Sequence, residues 1–241
     1  MIGCRCAVCV SDDPRNRRFR PSITVSNDQG TILVDTTPEL RMQSLAFGLD
    51  RVDAVLFTHT HADHIFGLDD LRRFNDLCGT EIPVYGDEGT LADIRRIYRY
   101  IFTETQEGGG KPKIVLNEVQ EDFELFGIRI RSFQVYHGKL PILAYRFDDF
   151  AYVTDVSRIP DEAMAKLQNL ELLILDAVRF DPHPTHFGLW QAMEIVEALK
   201  PKQTLFTHLS HHFDHETTNA MLPPYAQLAY DGQVVDLHGT L

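Results

Sequence analysis

The segment FTHTHADHIFG constrains this chain more than any other, because it places four side chains of metal-binding types within six consecutive positions. It follows VDAVL, an apolar run typical of a buried strand. Alternate residues of an extended segment lie on one face, so His59 and His61 can reach the same ion. Asp63 and His64 come where the chain turns into a helix, and they can face a second ion. Imidazoles beside a carboxylate suit zinc, manganese or iron, whereas a polar loop with hydrogen-bonded histidines is the alternative.

Three later residues of ligand type also follow β-rich runs. His137 ends SFQVYH, Asp155 ends FAYVTD, and His208 ends TLFTH. Taken singly, Asp155 could cap a helix and His137 could belong to a turn. Binding residues are commonly carried by loops that a rigid scaffold positions, so the set as a whole favours a metal site assembled at strand ends.

The rest of the chain alternates short apolar runs with amphipathic stretches. SITVSNDQGTILVD predicts a hairpin, and QLAYDGQVVDL predicts another about Asp231 and Gly232. DHIFGLDDLRRFN and EGTLADIRRIYRYIF have helical periodicity, and residues 104–113, ETQEGGGKPK, form a loop. Strands interspersed with helices along the whole chain predict two sheets with helices outside them, rather than one parallel sheet.

The composition is that of a soluble globular protein, with 241 residues, 44% hydrophobic and 24% charged. No window approaches the roughly 20 apolar residues of a membrane span, and nothing reads as a signal peptide, so a cytoplasmic protein is expected. The net charge of −12 disfavours broad nucleic-acid binding, which depends on basic surface. It does not exclude an anionic substrate, because bound cations can dominate the local field.

The motif THTHADH resembles the H-x-H-x-D-H signature of the metallo-β-lactamase superfamily, and the three later ligand-type residues match its further motifs in order. The resemblance runs from about residue 22 to the C-terminus. It implies an α+β fold, a four-layer αββα sandwich, formed by residues 1–241 as a single domain with a dinuclear metal site. By position, one ion would be bound by His59, His61 and His137, the other by Asp63, His64 and His208, with Asp155 bridging them.

The same resemblance implies the chemistry of the site. Two divalent ions, zinc or manganese, would share a water and acidify it to a bridging hydroxide near neutral pH. Asp63 and Asp155 could accept hydrogen bonds from this nucleophile. Asp35, in TILVDTTPE, matches the early aspartate motif and would orient the loop that carries the ligands; capping a helix is its alternative role.

His186, in DPHPTHFG, lies 22 residues before His208. It resembles the extra histidine of the phosphodiesterase branch, which includes tRNA 3′-processing endonucleases and the phosphoribosyl cyclic phosphodiesterases. In that branch the histidine contacts the phosphate or assists the leaving oxygen, so a catalytic role is expected here. A helix cap is the alternative.

Three cysteines, Cys4, Cys6 and Cys9, open the chain, and the phosphoribosyl cyclic phosphodiesterases resemble it in this respect. That family combines such a cluster with a histidine just after the last active-site ligand, here His211. Cys₃His is a closed arrangement for structural zinc, which would tie the N-terminal segment to the segment that carries His208. His212 is a less favoured fourth ligand, and an idle thiol cluster is the alternative.

Four arginines follow the cysteines in DPRNRRFRP. Guanidinium groups recognise phosphate well, but a solvated or salt-bridged strip is favoured in so acidic a protein. They are Arg15, Arg17, Arg18 and Arg20. Members of the family normally begin with a strand and a glycine-rich turn before the cysteines, and here Met1 stands directly ahead of IGCRC, so that first strand is expected to be absent.

These features predict a dinuclear metal-dependent hydrolase, a phosphodiesterase acting on a small cyclic phosphate or a nucleotide-like compound. A thioesterase of the glyoxalase II kind, an RNA-processing nuclease and a non-catalytic nucleotide-binding protein are the alternatives. The expected partner is a small phosphorylated substrate, with no membrane, nucleic acid disfavoured and a homodimer left open.

Overall fold

The computed structural model describes residues 1–104 and 110–237, so half of the predicted loop at 104–113 lies outside the described residues. The chain divides into two compact units, Arg20–Arg129 and the combination of Met1–Phe19 with Ile130–Leu241. Each unit has its own apolar core. Among the described residues, no helix is long and apolar enough to cross a membrane.

The Arg20–Arg129 unit is built on a sheet of five strands in the order β1-β2-β3-β4-β5. The first two strands are antiparallel and the rest are parallel, which confirms the first predicted hairpin. In its turn, the side chain of Asn27 accepts hydrogen bonds from the backbone N–H groups of Gln29 and Gly30. The strands are β1 (Ile23–Ser26), β2 (Thr31–Val34), β3 (Ala54–Leu56), β4 (Ile82–Gly86) and β5 (Ile114–Glu118), and a further strand, β6 (Asp122–Leu125), follows.

The helices of this unit supply the other half of its core. Every residue of β3 is buried, and so are Phe57, which begins the FTHTHADH motif, and Ile65 and Leu68, which follow it. Apolar side chains therefore fix the motif at both ends. The helices are α1 (Leu40–Phe47), α2 (Ala62–Ile65), α3 (Leu71–Cys78) and α4 (Glu88–Ile97), with short 3₁₀ turns at Leu68–Asp70 and Arg99–Ile101.

The second unit carries a mixed sheet whose strands lie in the order β12-β11-β10-β9-β8-β7. β7 and β8 pair antiparallel, as do β8 and β9, and the remaining pairs are parallel. The C-terminal ends of β7, β9, β10 and β11 consequently lie at one edge of the sheet. The strands are β7 (Ile128–His137), β8 (Leu140–Phe147), β9 (Phe150–Val153), β10 (Leu172–Asp176), β11 (Gln203–Thr207) and β12 (Ala226–Leu228).

The second predicted hairpin is wrong. β12 pairs in parallel with β11, and no strand follows it in the described part of the chain, which ends at residue 237. The carboxylate of Asp231, placed in the turn by the sequence pattern, instead accepts a hydrogen bond from the backbone N–H of Phe19, 2.7 Å away. This tertiary contact replaces the local pairing that the pattern suggested.

Helices of the second unit pack on its sheet through the larger apolar core. Its buried residues include Val153 and Phe206 from the strands and Leu189 and Val196 from the longest helix. Two mixed sheets with flanking helices confirm the predicted α+β class, and the single-domain interpretation stays a prediction. The helices are α5 (Asp161–Lys166), α6 (Leu189–Leu199) and α7 (His215–Asn219), with a 3₁₀ turn at Pro14–Asn16.

Candidate metal centre

The ligand-type residues of the FTHTHADH motif lie together in the segment after β3 and in α2, and we call them the first cluster. The ring centroids of His59 and His61 are 4.6 Å apart, and those of His59 and His64 are 4.2 Å apart. The Nε2 atom of His64 lies 3.7 Å from a carboxylate oxygen of Asp63. The predicted grouping of these four residues is therefore present within this unit.

Asp35 follows β2 and is fully buried. One of its carboxylate oxygens lies 2.8 Å from Nδ1 of His64 and 2.8 Å from the hydroxyl of Thr58, and the other accepts the backbone N–H of Thr58. Burial raises the pKa of the Asp35 carboxyl, and His64 and the Thr58 donors act against that rise. With its proton held at Nδ1, His64 offers an unprotonated Nε2, the form that binds a metal.

Thr60, between the two histidines of the motif, is tied to a neighbouring helix. Its hydroxyl donates to a carboxylate oxygen of Asp93 on α4, 3.0 Å away. Asp93 also accepts hydrogen bonds from Arg96, and these contacts lower the pKa of its carboxyl. Nothing in the spacing of the sequence indicated this contact.

The second unit gathers its own set at the edge where β7, β9, β10 and β11 end, and we call it the second cluster. The ring of His186 lies 4.6 Å from that of His137 and 4.7 Å from that of His208. Nε2 of His208 is 3.4 Å from a carboxylate oxygen of Asp155. The cluster comprises His137, Asp155, Asp176, His186 and His208.

Asp176, at the end of β10, was not identified from the sequence. It is fully buried, and one of its oxygens lies 2.9 Å from Nδ1 of His186 and accepts the backbone N–H of Val156 at 3.0 Å. Burial raises the pKa of Asp176, while the hydrogen bond from His186 opposes the rise. The contact holds a proton at Nδ1 of His186 and leaves Nε2 to accept or donate one.

His137 is oriented by backbone instead. Its Nδ1 donates to the carbonyl oxygen of Thr185, 2.7 Å away, so Nε2 is the nitrogen that can bind a metal. The next residue, Gly138, has φ +61, and a Cβ atom there would lie 2.9 Å from the methyl group of Thr185. Only glycine allows this close approach, which packs the end of β7 against the segment that carries His186.

Asp35 and two residues of the second cluster have left-handed backbone conformations that favour glycine. The φ angles are 62° for Asp35, 53° for Asp155 and 57° for His208. Such conformations cost about 1–3 kcal/mol each and concentrate at functional sites. Each of the three follows a strand and turns its side chain out of the extended path.

The cysteines form a third group, which we call the clasp. The Sγ atoms of Cys4 and Cys6 lie 3.5 and 3.4 Å from Nδ1 of His211, and Cys9 completes the group. Bond lengths of about 2.3 Å to sulfur and 2.0 Å to nitrogen in a tetrahedral zinc site give a separation of roughly 3.5 Å between these atoms. The donor set fits zinc, and His211 rather than His212 is the histidine that joins it.

The thiol chemistry of the clasp agrees with a metal site. The hydrogen bond with His211, followed by one from the backbone N–H of Cys9, lowers the pKa of Cys6 to about 6. A thiolate, the form that binds zinc, is therefore favoured at neutral pH. Cys78, the remaining cysteine, belongs to the other unit and ends α3.

The predicted N-terminal arginines are used mostly for structure. The guanidinium of Arg18 donates to the carbonyl oxygens of Ser210 and Phe213, at 3.3 and 2.9 Å. Arg15 pairs with Asp13 at 2.7 Å. In the other unit Arg20 pairs with Glu39, whereas Arg17 is exposed.

His215, at the start of α7, is a buried histidine whose Nε2 lies 3.0 Å from the side-chain nitrogen of Asn219. Burial, and then Arg15 and Arg18, lower its pKa below the ordinary value of about 6.5. The unfolded chain therefore binds a proton more readily than the folded chain, so stability falls as the pH drops below about 6.5.

In His215→Gln this part of the loss of stability should disappear. Urea unfolding at pH 7.5 and 5.5 should therefore show a smaller drop in the free energy of unfolding than in wild type. His212→Gln, at an exposed histidine, is the control, and an identical drop in all three proteins would contradict the prediction.

Comparison with known proteins agrees with this geometry. Residues 30–209 match a family model described as a β-lactamase superfamily domain. The chain belongs to the metallo-β-lactamase superfamily. The resemblance read from THTHADH is thereby confirmed, and two mixed sheets with flanking helices are the fold of that superfamily. The histidine and aspartate clusters of this chain are typical of the metal site of these proteins, and the clasp could bind a structural metal.

Several relatives span the chain. The crystal structure of a diphosphatase from the PhnP family shares 43% identity with a TM-score of 0.91, covering 98% of this chain and 92% of that one. An octanoyltransferase of Porphyromonas gingivalis is 36% identical over 237 residues, 96% of this chain and 47% of the relative. The chain thus spans about half the length of that curated relative. Zn²⁺-bound PqqB from Methylobacterium extorquens, at 18% identity and a TM-score of 0.76 over 98% of this chain and 95% of that one, shares the fold.

Proposed function

We propose that this chain is a metal-dependent hydrolase that cleaves a phosphorus–oxygen bond in a small phosphorylated compound. One observation carries the proposal. His186 lies between the rings of His137 and His208 with its Nδ1 proton held by Asp176, so an acid–base group stands directly beside two residues of metal-binding type. The 43% identity to a PhnP-family diphosphatase over almost the whole chain supports the substrate class.

The donors fit divalent ions such as zinc or manganese. His64 and His137 both have Nδ1 engaged, by Asp35 and by the carbonyl of Thr185, which leaves Nε2 as the binding nitrogen. When bound, divalent ions lower the pKa of water and polarise a phosphoryl group. Membership of the superfamily supports the assignment of seven ligands from both clusters. They are His59, His61, Asp63, His64, His137, Asp155 and His208.

The chain's own residues supply the proton chemistry. Membership of the superfamily implies that Asp63 and Asp155 would accept hydrogen bonds from the attacking water and orient it. His186 contacts the phosphate or gives a proton to the leaving oxygen through Nε2, while Asp176 keeps Nδ1 protonated and the ring in place. General acid–base catalysis of this kind contributes about 10²–10⁴ in rate.

Two substrate types remain within this proposal. The sequence favours a phosphodiester, either a cyclic sugar phosphate or a nucleotide-like compound, and the PhnP-family neighbour is a diphosphatase. Both present a phosphoryl group with a bridging oxygen to be cleaved. The net charge of −12 supports a small substrate over a nucleic acid.

A thioesterase is the second candidate. The Porphyromonas gingivalis relative, 36% identical to nearly all of this chain, is an octanoyltransferase. Its name refers to an acyl group rather than a phosphate, and the same metal chemistry can activate water against a thioester. The relative is about twice as long as the region matched, so its activity need not lie in the shared part.

The test is a substrate panel with folded, metal-loaded protein. We expect hydrolysis of bis(p-nitrophenyl) phosphate, a ribosyl cyclic phosphate or a nucleoside diphosphate sugar with zinc or manganese, and none of S-lactoylglutathione or an octanoyl thioester. His186→Ala should lower kcat about 100-fold or more with the metal content per chain unchanged. Turnover of thioesters alone would instead establish the second candidate, and no turnover of either class would refute both.

A further inference from the structure

The sequence stretch DPHPTHFG holds a second histidine that the proposed mechanism does not use. His183 lies between β10 and α6, with its ring centroid 5.1 Å from that of His186. His186 in turn contacts the rings of His137 and His208. His183 is thus the outermost of four adjacent imidazoles, partly exposed where His186 is buried.

The protonation of His183 is set by its neighbour Thr185. The backbone N–H of Thr185 donates to Nδ1 of His183 at 3.3 Å, and the Thr185 hydroxyl lies 3.2 Å from the same atom. A backbone N–H can only donate, so Nδ1 is the acceptor and the proton resides on Nε2. Burial, followed by His186 and Arg179, lowers the pKa of His183, so the neutral ring with this arrangement prevails at neutral pH. Within residues 1–104 and 110–237 no hydrogen-bond partner of this Nε2–H is found.

The segment around His183 is held firmly. Arg179 donates to the carbonyl oxygens of Asp181 and Pro182, immediately before the histidine. Thr185, immediately beyond it, accepts the hydrogen bond from Nδ1 of His137 at 2.7 Å. The position of the His183 ring is therefore fixed before any ligand arrives, which lowers the entropic cost of binding through it.

We infer that His183 is a substrate-binding residue that donates a hydrogen bond from Nε2 to an anionic oxygen of the phosphorylated substrate, beside His186. This inference rests on the proposed function. A phosphoryl or diphosphoryl group carries several oxygens. Nε2–H of His183 can therefore bind one of them while His186, whose ring centroid lies 5.1 Å away, acts on the same group. If His183 only stabilised the loop, its Nδ1 would be sufficient for that role, and the Nε2–H would not contribute to it.

The variants His183→Ala and His183→Gln test this inference. Alanine removes the donor, and glutamine places an amide N–H at a similar reach. With bis(p-nitrophenyl) phosphate, we expect the KM of the alanine variant to rise about 10-fold, the loss of one hydrogen bond to a charged group, with kcat changed far less. The inhibition constant of inorganic phosphate should rise by a similar factor. Glutamine should restore part of both, with metal content and circular dichroism as in wild type.

Asp181→Asn, an exposed change on the same loop, is the matched control and should leave both constants as in wild type. A wild-type KM and phosphate inhibition constant in His183→Ala would overturn the inference, and so would equal weakening in the glutamine and alanine variants. If wild type hydrolyses no phosphate compound, the proposed function fails instead. Direct titration of the metal-loaded proteins with inorganic phosphate then still decides the role of His183.

Discussion

Asp35→Asn is expected to lower the affinity for metal about 10–100-fold and the free energy of unfolding by about 1–3 kcal/mol, the cost of leaving a buried hydrogen-bond donor unsatisfied. The wild-type carboxylate accepts three donors, from the backbone and hydroxyl of Thr58 and from Nδ1 of His64. An asparagine amide turns an N–H group toward His64 and pushes the histidine proton from Nδ1 to Nε2. A protonated Nε2 cannot bind a metal, so one ligand is lost without being mutated.

The substitution isolates this effect because asparagine has the volume of aspartate and tolerates the left-handed conformation that Asp35 adopts, at φ 62°. Urea unfolding measures the stability, and competition with a chelator measures the metal affinity. Asp28→Asn, at an exposed position in the turn after β1, is the control. If metal affinity in Asp35→Asn matched that of Asp28→Asn, the orienting role of Asp35 would be refuted.

Removing one thiol of the clasp should release one zinc ion per chain. In Cys4→Ala, three ligands remain, which is too few for a closed structural site. We expect metal analysis to show one zinc fewer, with the metals of the histidine clusters retained, and a loss of several kcal/mol in stability. Zinc binding in small zinc-finger peptides contributes about 10–16 kcal/mol. The N-terminal segment should lose less stability than that, because hydrogen bonds of Arg18 and Asn16 also hold it in place.

Cys78→Ala is the matched control, since Cys78 is likewise a partly buried free thiol but lies in α3. It should retain every zinc ion. Because His211 lies three residues beyond His208, Cys4→Ala should also lower turnover about 10-fold through a loosened ligand, an order of magnitude typical of a disturbed supporting contact. Unchanged zinc content in Cys4→Ala would refute the clasp.

Much of the arrangement within each unit could be predicted because its signals are local. THTHADH compresses four ligand-type residues into a strand end and a helix start, and the structure groups them within that unit. Cys4, Cys6 and Cys9 stand close in sequence, and a resemblance supplied His211 as their partner. The fold class followed from the alternation of strands and helices and from the same resemblance.

What the sequence did not reveal depends on contacts between distant residues. Asp176 ends β10 as an isolated aspartate, and its partner His186 comes 10 residues later, beyond a loop. Asp93 reaches Thr60 from a helix 33 residues away. Asp231 bonds to Phe19 across 212 residues, which overrides the hairpin pattern around it. No spacing rule covers such pairs, because only the folded backbone brings them together.

The left-handed conformations of Asp35, Asp155 and His208 set a limit on how robust this molecule can become. Glycine would relieve the backbone at each of the three positions, yet it would delete the carboxylate or the imidazole that the residue contributes. Variants selected only for survival at high temperature are thus drawn toward changes that erase catalysis, whereas selection for turnover keeps the strained residues and accepts a less durable protein.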